Sequence, residues 1–189
     1  MSTIAANPEI TPDDLLKMPD GERYELVDGR LVERNMSLRS SYIGARLSRL
    51  IGNFCEEHPL GWVLGADCGY QCFADKPKLV RRPDISFIRL GRLPGEQLSQ
   101  GLVRIAPDLA VEVLSPNDLD YETDFKVEEY LRAGVRLVWV VNPESRTILI
   151  YRADGSIQGL REPDELSGED TLPGFRCRVG ALFTMPPDA

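Results

Sequence analysis

Histidine is nearly missing from this chain: His58, beside Pro59, is the only one among 189 residues. The four cysteines, Cys55, Cys68, Cys72 and Cys177, are scattered and form no CxxC pair. Zinc ligation and a disulfide framework are therefore poor readings, and reduced, buried thiols are expected. No apolar run approaches the roughly 20 residues of a membrane-spanning helix. Residues 1–20 have neither a basic start nor an apolar signal core. The expectation is a cytoplasmic protein with no membrane partner. No P-loop or dinucleotide fingerprint occurs, and Ser115 lacks the flanking glycines of a nucleophile elbow. Positive charge is also short, with 22 Lys and Arg against 30 Asp and Glu, a net charge of −8 and a pI near 4.8. That balance argues against a general nucleic-acid binder, whose affinity comes largely from neutralised phosphates. The objection softens if the acidic residues cluster at a metal site while Arg39, Arg46, Arg49, Lys76, Lys78, Arg81 and Arg82 line one side of the fold.

What is present suits a globular chain: 42% hydrophobic and 28% charged residues can bury a core without staples. One domain over 1–189 is expected, its core spanning about 10–185 between a short N-terminal arm and a C-terminal tail. Thr11-Pro12-Asp13-Asp14 predicts a helix start, with a hydroxyl cap, proline in the first turn and acids at the positive end of the dipole. Asp28-Gly29 between two short β-prone runs predicts a tight hairpin. Ile43, Leu47, Leu50, Ile51 and Phe54 mark one stripe of a helix over 41–57. Residues 62–64, 69–73 and 85–90 read as strands, and 91–100 as a loop. A helix is predicted over 118–133, with Phe125, Val127, Tyr130 and Leu131 on its apolar spacing and Gly134 as its stop. Residues 135–141 and 147–152 read as paired strands, and 153–174 as polar and glycine-punctuated. A last strand or short helix is expected in 174–183. The fold class is α/β (α+β), a mixed sheet flanked by helices.

One residue breaks the pattern. Leu109-Ala110-Val111-Glu112-Val113-Leu114 is an apolar run fit for a central strand, yet it carries a carboxylate. A buried carboxylate costs several kcal/mol unless it is paired or coordinates a cation. Asp84, after Pro83 at a strand mouth, and Lys126, on the next helix, are its candidate partners. Two carboxylates on neighbouring strands make a hard oxygen site suited to Mg²⁺ or Mn²⁺, and a lysine beside them can stabilise charge on a phosphoryl group. The three residue types suffice for phosphodiester hydrolysis. Taken singly, each has a plainer reading: Asp84 a turn cap, Glu112 a buried ion pair, Lys126 a solvated helix residue. Glu25 is a weaker candidate for a further acid, more simply a solvent-facing residue beside the hairpin turn. Tyr130 is a weaker candidate for substrate contact, more simply packed behind the lysine. Asp108 and Asp118 read as cap or turn residues.

Three stretches together carry a family resemblance: Arg82-Pro83-Asp84-Ile85-Ser86-Phe87, then the run from Ala106 to Pro116, then Lys126 with Tyr130 and Ala133-Gly134-Val135. With Tyr24-Glu25-Leu26-Val27-Asp28-Gly29 and Trp139-Val140-Val141-Asn142-Pro143, the chain resembles the Uma-type restriction endonuclease family of the PD-(D/E)xK nuclease superfamily, over roughly residues 10–185. The resemblance implies a restriction-endonuclease-like fold and a Mg²⁺- or Mn²⁺-dependent endonuclease acting on DNA. Asp84 matches the first acid and Glu112 the second, with the Val113 backbone carbonyl as a further metal ligand. The usual lysine stands two residues after the second acid, where this chain has Leu114, so Lys126 supplies it from the helix. Members carry a histidine ahead of the first long helix, where this chain has Ser40 or Ser41. A homodimer is expected by analogy with nucleases that cut both strands. Two other functions stay open: a catalytically inactive nuclease-fold binding module, favoured by the acidic balance and Leu114, and a metal hydrolase acting on another phosphate or carboxylate substrate.

Overall fold

The computed structural model describes residues 9–35, 37–98 and 100–185. At its centre is a six-stranded mixed sheet of β3 (Gly61–Gly65), β4 (Ile85–Arg89), β5 (Leu109–Val113), β6 (Leu137–Asn142), β7 (Thr147–Arg152) and β8 (Ile157–Leu160), hydrogen-bonded in that order. Only β5 and β6 run parallel. Parallel neighbours need a long crossover, which α3 (Asp120–Arg132) supplies. An N-terminal hairpin, β1 (Tyr24–Val27) with β2 (Arg30–Glu33), and a C-terminal pair, β9 (Glu165–Ser167) with β10 (Arg176–Arg178), stand outside that sheet. The short helices α1 (Pro12–Lys17) and α4 (Val179–Phe183) flank them.

Local chemistry explains most boundaries. Thr11 and Asp14 form a reciprocal capping box at α1. Asp28 and Gly29 both have positive φ, the backbone of a type I′ turn whose twist matches its strands. The long helix α2 (Leu38–Glu57) begins three residues before the sequence expectation because Ser37 and Ser40 cap each other's backbone. Gly134, at φ 97°, ends α3 in the left-handed conformation.

Alternation along the strands divides the core. Leu109, Val111 and Val113 of β5 pack with Ile43, Leu47 and Ile51 of α2 on one face of the sheet. Ala110 of β5 faces the other side, with Val127 and Tyr130 of α3. A period of two therefore puts Glu112 on the α3 face. In the β4–β5 register Ile85 lies opposite Val111, so continuing it by one residue sets Asp84 opposite Glu112.

Three expectations need correction. Residues 69–73 form no strand: Tyr70 makes isolated bridges to Arg81 and Val103, and its hydroxyl donates to Ser86 Oγ at 2.6 Å. Its β-prone composition reflects burial across the sheet face. The polar stretch after 153 contains β8 and β9, edge elements whose exposed residues need no apolar alternation. Phe125 lies outside the apolar face of α3 and is 57% exposed. The cysteines are free thiols, Cys55 buried and the others half-buried. No helix among the described residues is long and apolar enough to cross a membrane.

Candidate active site

Glu112 is 7% exposed. Its Oε1 accepts from the Tyr130 hydroxyl at 2.7 Å, and its Oε2 lies 3.4 Å from Lys126 Nζ. The spacing of four residues from Lys126 to Tyr130 is one helical turn, which points both side chains of α3 at the same strand position. Lys126 is shared with a second acid, Glu25 Oε2, at 3.2 Å. Glu25 is only 1% exposed, so its expected solvent-facing place is wrong. Leu26 pairs with Val80, and that contact lays the hairpin against the segment before β4 and buries its inward side.

Behind the lysine stands an ion network not read from the sequence. Arg81 bridges Glu25 Oε2 at 2.8 Å and Glu129 Oε2 at 2.7 Å, and Lys76 reaches Glu129 Oε1 at 2.7 Å. The Arg82 backbone N–H donates to Glu25 Oε1 at 2.9 Å. The one legible signal was Glu129, between Val127 and Tyr130 and three residues from Lys126, where a carboxylate on the buried side of α3 must have a partner. Arg81 and Arg82 are thus buried, Lys76 serves Glu129, and Arg39 pairs with Glu144. The seven basic residues do not line one side of the fold.

Asp84 meets different partners. Its Oδ2 accepts the Val113 N–H at 2.7 Å and its Oδ1 accepts from Arg34 Nη2 at 2.9 Å. Two clefts meet here. The first, about 270 Å³, holds Glu25, Glu112 and Lys126; the second, about 260 Å³, holds Asp84, Val113 and Ser40. Arg34 and Asn35 line both. Ser40, where relatives were expected to carry histidine, ties its hydroxyl to Ser115 Oγ at 2.9 Å. Asp118 holds the loop before α3, accepting from the Ser115 N–H and from Asn35 Nδ2. Asp108 is buried and accepts from the Arg89 N–H.

Electrostatics separate the two glutamates. Burial raises Glu25, but Lys126 and Arg81 outweigh it and hold the acid below its ordinary range. Burial pushes Glu112 up to about 7; Lys126 and Tyr130 pull it down, while Asp84 and Glu25 add to the rise. Asp84 is raised as well, by burial more than the Val113 N–H and Arg34 can offset. Lys126 is raised: Glu112 and Glu25 overcome the effect of its burial, so it stays protonated. Both acids are raised chiefly because burial disfavours their charged form, although Lys126 and Arg34 stand at their oxygens.

Whether a cation fits turns on the donors the cleft offers. Carboxylate oxygens and a strand-end carbonyl are hard donors of the kind Mg²⁺ and Mn²⁺ prefer, and a divalent ion would relieve both acids. Among the described residues no three His, Cys, Asp or Glu side chains are placed as a ready-made metal group. The donors that could hold an ion here are Asp84, Glu112 and the Val113 carbonyl, with the remaining positions left to water and substrate.

A family model described as "Putative restriction endonuclease", Uma2, matches residues 12–180. The fold is similar to the crystal structure of "a putative nuclease belonging to DUF820" from Anabaena variabilis ATCC 29413, with 22% identity, a TM-score of 0.77, and 92% of this chain and 97% of that one covered. No curated protein matches.

Proposed function

This chain belongs to the Uma2 family, and from that premise and the cleft's geometry we propose that it is a Mg²⁺- or Mn²⁺-dependent endonuclease hydrolysing DNA phosphodiester bonds through a PD-(D/E)xK-type site. Family membership supports nuclease chemistry. The observation that carries the finer reading is Glu112, a carboxylate inside an apolar strand that is raised to about 7 despite a lysine and a tyrosine at its oxygens. Asp84, Glu112 and the Val113 carbonyl are the residues to hold the metal, which when bound activates water and offsets charge on the phosphate. Tyr130 fixes the Glu112 carboxylate from behind. Lys126, protonated and held between Glu112 and Glu25, presents its ammonium to the phosphoryl oxygens as charge develops. Glu25, itself fixed by Arg81, holds that ammonium in place.

Supercoiled DNA incubated with the protein and Mn²⁺ or Mg²⁺ is expected to be nicked and then linearised, and a chelator to stop it. Cleavage that continues in chelator overturns the proposal. Retained DNA binding without metal uptake or cleavage would favour the inactive-module reading, in which Arg34 and Lys126 neutralise the acids permanently.

Two further results follow. The proton on Glu112 competes with the metal, so Mn²⁺ affinity should climb as pH rises to about 7 and level off above it. The metal-free fold shows the converse. An acid raised from 4.5 to about 7 contributes stability that is complete below its unfolded value and fades as pH rises through its folded one. Urea titrations across pH on chelator-treated protein read this, and Glu112→Gln should flatten that limb. The second concerns Arg34, which occupies Asp84 Oδ1. Arg34→Ala should tighten Mn²⁺ binding about tenfold, because a competing cation is gone, yet raise KM for DNA. Calorimetry showing weaker metal binding would make Arg34 a support for Asp84 instead.

A further inference from the structure

The first cleft is half charged and half apolar. Glu112, Lys126 and Arg34 occupy one part, whereas Tyr121 and Phe125 line another, each 57% exposed. The two aromatics lie one turn apart on α3, with ring centroids 6.4 Å apart and planes at 80°. Their faces are not covered by the core, since Val127 and Tyr130 alone carry the buried side of that helix among its apolar residues. Phe125 and Lys126 both line this cleft, so an apolar wall and an ammonium share one cavity.

A nucleotide has the same division, a planar apolar base beside an anionic phosphate. We propose that Tyr121 and Phe125 form a stacking platform for an unpaired base, which makes single-stranded DNA the substrate of this cleft. The inference deepens the nuclease reading and rests on it for the place of the phosphate. Within a duplex both faces of a base are covered by its neighbours, so only a base outside the stack can offer one. Charge supports the same choice. A net charge of −8 and dispersed, partly buried arginines give little purchase on two phosphate backbones, whereas stacking draws affinity from aromatic surface. A cleft of about 270 Å³ also limits the occupant to one small group such as a single nucleotide, being just below the roughly 300–1,000 Å³ typical of ligand sites.

Fluorescence anisotropy of a labelled oligothymidylate strand, in chelator so that nothing is cut, tests the proposal. The controls are an abasic strand of equal length and the oligothymidylate annealed to its complement. The single strand should bind at least about tenfold more tightly than either control. Phe125→Ala and Tyr121→Ala should each weaken it about 5- to 100-fold, leave the abasic strand unchanged, and Phe125→Trp should restore binding. Equal affinity for base-bearing and abasic strands, or for duplex and single strand, overturns the platform. So does a dimer that dissociates in Phe125→Ala with oligothymidylate binding intact, which would assign the patch to a second copy of this chain. The two readings fail separately. Single-stranded DNA cut in Mn²⁺ as fast by Phe125→Ala as by the unaltered protein removes the platform and keeps the nuclease. Base-dependent binding with no cleavage of any DNA in Mn²⁺ removes the nuclease and keeps a stacking site.

Discussion

Asp84→Asn and Glu112→Gln are each expected to lower the DNA cleavage rate by about a thousandfold or more, with the fold retained. Both changes keep size and hydrogen-bonding shape and remove one negative charge. Asparagine can still accept the Val113 N–H that Asp84 Oδ2 accepts at 2.7 Å, and glutamine can still accept the Tyr130 hydroxyl. What is lost is the charge that draws a divalent ion to the strand ends. The magnitude follows from groups that act as a unit: removal of one disables the arrangement, so the double variant should be little worse than either single one. Single-turnover cleavage with circular dichroism on the same samples reads both parts, and Mn²⁺ calorimetry should show binding lost in step with rate. A variant that still cuts at a tenth of the original rate or better would move the chemistry elsewhere.

The second large effect is on stability. Arg81 lies between Glu25 and Glu129, and all three are buried. Arg81→Met removes the guanidinium and leaves two buried carboxylates without it, an arrangement that typically costs about 3–5 kcal/mol. Lys126 and Lys76 each retain a contact to one of those acids, so the lower half of that range is the firmer expectation. Arg81→Lys should recover only part of the loss, because one ammonium lacks the planar fork that reaches both partners. Urea denaturation gives the number. A loss below about 1 kcal/mol, the size usual for exposed pairs, would mean that water enters the network and screens it. Arg23→Met, which breaks an exposed pair with Glu33, is the control that should barely change the midpoint.

How far the sequence reached depended on whether the signal was local. Glu112 was legible because a carboxylate inside an apolar strand violates its own pattern, and that violation survives without knowledge of neighbours. The helices α2 and α3 were legible through periodicity, and the strands β4 to β7 through apolar, β-prone runs bounded by turn residues. Glu25 was misjudged because a residue near a hairpin turn is normally solvated, and nothing in Tyr24–Val27 reveals that Val80 will pair with Leu26. Arg34 and Arg81 were missed as site residues for the same reason, their partners lying 50 and 56 residues away. Phe125 fitted a helical stripe, but a stripe states only that one face is apolar, and α3 has an apolar cleft wall as well as a core face. The strand expected at 69–73 failed in the opposite sense: β-prone residues were buried there without a partner strand to complete.

The hairpin β1–β2 has a consequence for the order of assembly. Glu25 and Arg34 lie on it or just beyond its end, while the sheet that carries Glu112 is complete without it. A folding chain can thus acquire its central sheet from contacts made after residue 60 and hold, for a time, a core whose cleft has only one wall. The buried acid and lysine would then stand open to water until the hairpin docks through Leu26 and Val80. Docking of the hairpin joins Leu26 to the distant Val80, so the expectation from loop-closure entropy is that the cleft closes after the sheet forms.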